Sequence, residues 1–468
     1  MAAIDFKDGS KSKPKFLIIG AGFGGLTAAI ELKRKGVEVL VIEAAPEFAL
    51  QGWDIIQIPS NATRIITKWG NLLGDLEAHS SRPSTMTIFR SSGEEILKSP
   101  LPAQFGGFPI LFSSRCWAHL AMYKYAQSIG VQFRLGTRIA DYFEDDNCAG
   151  VYIGAGESQE LITANGVLCA DGIHSKGRWY ITGKEEVPRT SGFAVYRAWF
   201  PLEVLGLSEK TEKFTKIKED LFYVWLHEDV HATFMIDVAL RKVTVFCTHK
   251  DRYEVEESWS FKGDLKEMLE VVDGWDETIR AVISAIPPEV LVDWKLLWRD
   301  PIRKWVSDKG RVVLIGDAAH PHLPNSGSGA AQAIEDGATI GVILSKLGDT
   351  NVPLAFRSFE KLRYERTSLT QRLGWETRHR WHQTDWEFVK SNPEFLKMPM
   401  PGWLYGSDAE QYAFNRLEEV MESIKTGSPF KSTNIPDGHV HEDWTVETMM
   451  ALEHKQVQAQ FYKIVDTK

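Results

Sequence analysis

The patterned part of the chain opens with four consecutive apolar residues, Phe16 to Ile19, followed at once by glycines. An uninterrupted apolar run of that length predicts a strand buried on both faces. Leu26, Ala29, Ile30 and Leu32 then recur near helical spacing until Gly36, and residues 37–42 repeat the buried-strand pattern. The alternation predicts a β-α-β opening. Across 75–109 the pattern weakens and polar turn residues multiply, after which a helix is predicted over 116–129 and a strand over 131–135. Residues 192–200, 221–226, 231–238 and 243–248 are rich in β-branched and aromatic side chains and separated by short polar turns. That is the pattern of antiparallel strands in a second, sheet-based domain. A helix over 265–286, a buried strand over 311–315 and a helix over 329–347 ended by Gly348 follow. Residues 357–380 predict a long charged helix, and 392–402, with three prolines, a linker ahead of a helical tail.

Composition narrows this picture. Apolar residues at 43% and charged residues at 25% of 468 exclude global disorder. Lysine and arginine number 54 against 63 acidic residues, so no surplus positive charge is available for a phosphate backbone, and nucleic acid is not an expected partner. Four cysteines without close spacing suggest neither a zinc site nor a disulfide framework. The first 14 residues are polar, and no stretch has the length of a membrane span. A soluble cytoplasmic protein is expected. Tryptophan, at 16, outnumbers tyrosine, at 12, which hints at an aromatic ligand.

The chemistry begins at Gly20-x-Gly22-x-x-Gly25, set between a predicted strand and helix, with Glu43 ending the next strand. Gly20 permits the tight turn, Gly22 lets backbone approach a pyrophosphate, Gly25 allows close helix packing, and Glu43 can accept hydrogen bonds from a ribose. A bare glycine motif could be only a turn; flanking strand, helix and acid in register favour dinucleotide binding. Two further constellations lie at strand ends. One is Asp171-Gly172 with Ser175 and Arg178; the other is Gly316-Asp317 followed by Gly327, Gly329 and Ala330 at a helix start. No second complete glycine motif occurs, and 154–158 reads as a hairpin turn, so a separate nicotinamide-binding domain is not expected. His320 and His322 have no acidic partner at ligand spacing, so no metal site is expected there, and no G-x-S-x-G nucleophile elbow is present.

In this order and at these separations, the three elements resemble the FAD-dependent aromatic hydroxylases. These are single-component flavin monooxygenases whose patterns are G-x-G-x-x-G, D-G-x-x-S-x-x-R and G-D-A-A-H-P. The resemblance covers roughly residues 15 to 410. Residues 56–65, Trp69-Gly70, Glu360-x-x-Arg363-x-x-Arg366 and residues 403–409 are similar to the fungal salicylate hydroxylase-like branch. Within it, the nearest likeness is to monooxygenases of indole alkaloids, including those that form spiro-oxindoles. One departure stands out: Trp53-Asp54-Ile55 occupies a place where the branch carries a small Gly-Ala-Gly run.

The resemblance implies an α/β fold in which a glutathione-reductase-type, Rossmann-like FAD-binding domain is interleaved with a mostly antiparallel sheet domain for substrate. The expected division gives 1–75, 110–185 and 298–370 to FAD, 76–109 and 186–297 to substrate, and 371–468 to a helical C-terminal region. It further implies that Glu43 binds the adenosine ribose, Arg115 the pyrophosphate side and Asp317 the ribityl chain. Asp171 and Arg178 serve the dinucleotides, and the helix opened by 327–330 points at the flavin. Asp171 with Arg178 as a plain ion pair, and Arg115 as a surface residue, stay open as alternatives. The implied reaction has NADPH or NADH reduce FAD, O2 add at flavin C4a, and the hydroperoxide pass one oxygen to an electron-rich aromatic, foremost an indole C2–C3 bond. The alternatives are a phenol or aromatic-acid hydroxylase, a flavin oxidase or dehydrogenase, and a non-catalytic dinucleotide-binding protein.

On the substrate side, Arg197 sits in an aromatic strand. It is either paired with a carboxylate or aimed into an aromatic cavity, and the resemblance favours the second, with Arg197 as the catalytic candidate. Trp199, Tyr223, Trp225 and Phe234 are the expected pocket walls, ordinary sheet packing being the alternative for each. No dedicated base is visible, which leans toward an indole, since a phenol would gain from deprotonation.

Overall fold

The computed structural model describes residues 15–48, 54–156, 159–251 and 261–453. Trp53, the polar leader and the end of the 154–158 turn lie outside that set. The apolar runs form a five-stranded parallel sheet in the order Gln132–Arg134, Val39–Ile42, Phe16–Ile19, Gly166–Cys169, Val312–Leu314. Both faces of such a sheet are covered, which is why these strands are runs rather than alternations. Helices Phe23–Arg34 and Gly329–Leu347 pack together on it, so closely that a Cβ on Gly337 would lie 2.6 Å from the Ala28 nitrogen. An antiparallel meander, Ile139–Glu144, Ala149–Ile153 and Glu160–Ala164, stands beside it.

The second sheet has seven strands in the order Val292–Trp298, Arg189–Pro201, Lys242–Lys250, Val230–Asp237, Leu221–His227, Thr85–Arg90, Glu95–Pro100. All its pairings are antiparallel except that of Leu221–His227 with Thr85–Arg90. The weakly patterned stretch 75–109 thus supplies two strands to a sheet whose other members follow much later. One sheet face carries Tyr196, Trp225, Phe234 and Val245 into a core shared with helices Leu265–Val271 and Glu277–Ser284. The other face looks back toward the parallel sheet.

Two helix expectations change. The span 265–286 is two helices, broken at Gly274, whose φ of +72° suits glycine and ends the first run. The charged helix is longer than its charge pattern, running from Val352 to His382, with Arg363, Arg366, Arg378 and Arg380 buried rather than solvated. The proline-rich stretch after it is held by Trp381 Nε1 and Arg380 Nη2, which donate to the carbonyls of Leu396 and Lys397. The fold is mixed α/β, a Rossmann-like parallel sheet beside a mostly antiparallel one, with a helical C-terminal region.

Candidate active site

A single cleft of about 820 Å³ runs from the glycine turn to the inward face of the seven-stranded sheet. At the first end, the three glycines differ in what they do. A Cβ on Gly20 would lie 2.3 Å from the Ala170 carbonyl oxygen and one on Gly25 2.0 Å from that of Gly20, whereas one on Gly22 would meet nothing within 4 Å. Gly20 and Gly25 are therefore packing requirements, and Gly22 keeps the cleft side of the turn open. Glu43 accepts hydrogen bonds from the backbone N–H groups of Ala21 and Ala45, both at 2.7 Å, which fixes its carboxylate across the turn.

Two helix N-termini open on this cleft, at Gly22 to Gly24 and at Gly327 to Ala330, and neither has an acid in its first turn. Their N–H groups are ready donors for an anion. Arg115, at the start of helix Arg115–Ser128, and Asp317 also line the cleft. Gly327 sits at φ +58°, a backbone conformation that favours glycine, and a Cβ there would also displace the Gln57 carboxamide, 2.5 Å away. Asp171 accepts from Tyr142 Oη at 3.0 Å and from the N–H groups of Lys176 and Gly177, while its Oδ1 is buried without a hydrogen-bond partner at the cleft wall. Burial pushes its carboxyl up. Arg178 is not its ion-pair partner: the guanidinium donates to the carbonyls of Ala319 and Asp300, at 3.2 and 2.8 Å. It thereby ties the Asp171 turn to the Gly316-Asp317 turn. N–H groups for a pyrophosphate, carboxylates for hydroxyls, a glycine turn open to the cleft and an orphaned buried oxygen together fit a flavin dinucleotide.

Beneath the Gly316 turn lies a buried ionic network that joins three of the remaining motifs. Glu335 and Asp336, both 0% exposed, face Arg363, which reaches Asp336 Oδ1 at 2.7 Å and Glu335 Oε2 at 2.5 Å. Arg366 forks onto both Glu335 oxygens at 2.8 Å and also meets the carbonyls of Trp403 and Leu404. Asn61 donates to Glu335, and Asp336 Oδ2 takes the Gly316 N–H and His320. The segments 56–65, 360–366 and 403–409 are thus parts of one scaffold that holds the Gly316-Asp317 turn. Burial alone would raise both carboxyls. The charges of Arg366 and Arg363 on Glu335, and of His320 and Arg363 on Asp336, outweigh it and hold each at about 2.

Acid should therefore destabilise the fold over two overlapping pH ranges. Burial pushes His231 down to about 3, with help from the Arg378 charge, and holds His322 and His382 well below the ordinary histidine value. The unfolded chain takes up these protons near pH 6.5 and the folded chain resists, so stability falls as pH drops from about 6.5 toward 3. The depressed carboxyls add a second loss as pH drops from about 4.5 toward 2. Denaturant melts at pH 7.5, 6 and 5 should show destabilisation already at pH 5, with a slope of up to about 1.4 kcal/mol per pH unit for each such histidine.

At the other end of the cleft the sheet face alternates as its pleat demands. Trp294 and Leu296, Val195 and Arg197, Phe246 and Thr248, His231, Thr233 and Met235, and Phe222 contribute from successive strands. Arg197 lines the cleft and is also paired: Nη1 donates to Asp54 Oδ2 at 2.7 Å, and its Cζ lies 4.6 Å from the Trp294 ring centroid. Both alternatives read from the sequence hold at once. The partner comes from the departure at 53–55, the one signal that could have named it.

The expected pocket walls are corrected. Tyr223, Trp225 and Phe234 point to the opposite sheet face, where Trp225 Nε1 donates to Asp276 and Phe234 packs edge-on to Phe214. Their neighbours Phe222, Thr233 and Met235 face the cleft instead, because a shift of one residue turns every side chain over. Trp199 shares the face of Arg197 but lies beyond the cleft, under the Lys242 ammonium at 4.3 Å. Among the described residues, Trp294 and Trp381 are the tryptophans that line the chamber. His231 also lines it, hydrogen-bonded to His382 at 2.7 Å, a buried pair that sequence reading missed.

A dinucleotide cradle that opens directly into an apolar, sheet-walled chamber with one fixed arginine defines a flavin-dependent oxygenase. Residues 13–351 match the family model of an FAD binding domain. Over 442 residues the chain is 36% identical to the asperlicin C monooxygenase of Petromyces alliaceus, across 90% of this chain and 93% of that protein. The crystal structure of FqzB matches with a TM-score of 0.83 and 32% identity, over 92% of this chain and 99% of that one. CtdE in complex with FAD and substrate 4 matches at 0.81 and 30%, over 88% and 99%. A salicylate hydroxylase substrate complex, 21% identical with a TM-score of 0.71 over 87% and 98%, shares the fold. The chain belongs to the FAD-binding family of monooxygenases, together with the fungal FAD-dependent enzymes it resembles. Among its described residues no helix is long and apolar enough to cross a membrane.

Proposed function

We propose that the chain is an NAD(P)H-dependent FAD monooxygenase that oxygenates a neutral, electron-rich aromatic, foremost the C2–C3 bond of an indole. The observation that carries this reading is Arg197, held by Asp54 and Trp294 in the apolar chamber that continues the dinucleotide cleft. When bound, FAD takes electrons from NADPH or NADH and supplies the activation of O2.

The rest falls to the chain's own side chains. Gly22 and the two helix N-termini hold the pyrophosphate with Arg115, Glu43 the ribose, and Asp317 the ribityl chain. Asp54 and Trp294 fix the guanidinium of Arg197, so that it donates to the oxygen being transferred or to an oxyanion developing on the product. Phe222, Met235, Phe246, Leu296 and Trp381 keep water from the reacting centre. An aromatic acid would have to compete with Asp54 for Arg197, which supports a neutral substrate. The division into FAD-binding segments 1–75, 110–185 and 298–370, substrate segments 76–109 and 186–297, and a helical region 371–468 is supported by strand pairing. Thr85–Arg90 joins the later sheet and Val312–Leu314 the first one.

A substrate panel under NADPH and under NADH tests the reading. Product is expected from indole-bearing compounds and not from phenolic acids; turnover of the acids alone would replace it with the aromatic-acid hydroxylase. Asp317→Ala is expected to weaken FAD binding by about 1.5–3 kcal/mol, on the order of 10–100-fold. A fully yellow purified variant would remove Asp317 from that role.

A further inference from the structure

The segments 56–65 and 403–409 also meet at the cofactor end of the cleft. Gln57, 7% exposed, lines the cleft and packs its carboxamide against the Gly327 turn, where an added Cβ would lie 2.5 Å from Oε1. Tyr405, buried behind it, donates its hydroxyl to that same Oε1 at 3.1 Å. Burial pushes the Tyr405 phenol up, so it keeps its proton and needs the acceptor. Turning the amide over would set N–H groups against that proton, so the orientation is fixed with Nε2 away from Tyr405. Tyr405 is itself anchored, because it ends the helix Gly402–Tyr405 whose Trp403 and Leu404 carbonyls take Arg366.

Nε2 is buried and has no hydrogen-bond partner among the described residues. An amide nitrogen can only donate, and a buried donor left without an acceptor is costly. Ser328 Oγ, on the same turn, is buried without a partner too, but a hydroxyl donates or accepts and so names no ligand group. Gln57 Nε2 calls for an acceptor in the cleft, beside the helix N-terminus at Gly327 to Ala330. The flavin ring has carbonyl oxygens along its polar edge, and they gain negative charge when the ring is reduced. A fixed donor aimed at one of them holds the reduced ring more tightly than the oxidised one.

We propose that Gln57, positioned by Tyr405, donates from Nε2 to a carbonyl oxygen of the flavin ring and raises its reduction potential. The inference needs bound FAD and no particular substrate, so it stands or falls apart from the indole reading.

The midpoint potential of FAD in the purified holoenzyme, measured anaerobically against a reference dye with no substrate present, is the test. Gln57→Leu should weaken binding of reduced relative to oxidised FAD about 10-fold, which lowers the potential by about 30 mV. Tyr405→Phe, which keeps the ring and frees the amide to turn, should give about 3-fold, or about 15 mV. The double variant should match Gln57→Leu alone, since Tyr405 acts through Gln57. An unchanged potential in Gln57→Leu, or losses that add in the double variant, would overturn the inference. If Gln57→Leu does not retain FAD, Tyr405→Phe decides, and a wild-type potential there would overturn it.

Discussion

Replacing Arg197 by leucine is expected to lower the rate of oxygen transfer by about 10²–10³-fold while FAD remains bound, the loss typical of a removed donor to developing negative charge. The guanidinium is held from both sides, by the Asp54 carboxylate at 2.7 Å and the Trp294 ring at 4.6 Å, so its position is set before substrate arrives. Arg197→Lys should recover little, because an ammonium has neither the planar fork nor the stacking face. The phenotype to measure is uncoupling: NAD(P)H consumption should persist with peroxide released in place of product. Unchanged product formation in either variant would take Arg197 out of the chemistry.

Arg363→Met should be the most destabilising single change. It leaves Asp336 and Glu335, both buried, without the guanidinium that bridges them, and breaking one partner of such a set costs about 3–5 kcal/mol. Arg366 still covers Glu335, but Asp336 keeps only His320 and the Gly316 N–H. Because Asp336 holds the Gly316-Asp317 turn, flavin content should fall together with thermal stability, by several degrees or more in Tm. Loss of stability with full FAD retention would show that the network supports the fold without shaping the cofactor turn.

The sequence was most legible where one local signal decides the outcome. Helix Gly329–Leu347 ends where Gly348 stops it, and the strands of the parallel sheet announce themselves as apolar runs because both faces are buried. The motifs at Gly20, Asp171 and Gly316 named the cleft for the same reason, since their glycines answer to backbone geometry. Legibility failed where the answer depends on a partner far along the chain. Tyr223, Trp225 and Phe234 were assigned to the wrong sheet face because alternation gives two faces and does not say which is the chamber. The strands within 75–109 carry little pattern of their own, being completed by Leu221–His227. Arg363 and Arg366 carry no local sign of their role, which appears only when Glu335 and Asp336, an acidic pair inside an otherwise apolar helix, are set opposite them. His231 and His382 are 151 residues apart, and nothing local joins them.

The central claim is that the cradle and the chamber act together to put one atom of O2 into a neutral aromatic. Turnover of an indole-bearing substrate with NADPH under 18O2, read by mass spectrometry, tests it most directly. The account predicts a product heavier by one 18O atom, with no label when the heavy isotope is supplied as water instead. A product carrying oxygen from water, or oxidation of the substrate without any oxygen incorporated, would contradict it.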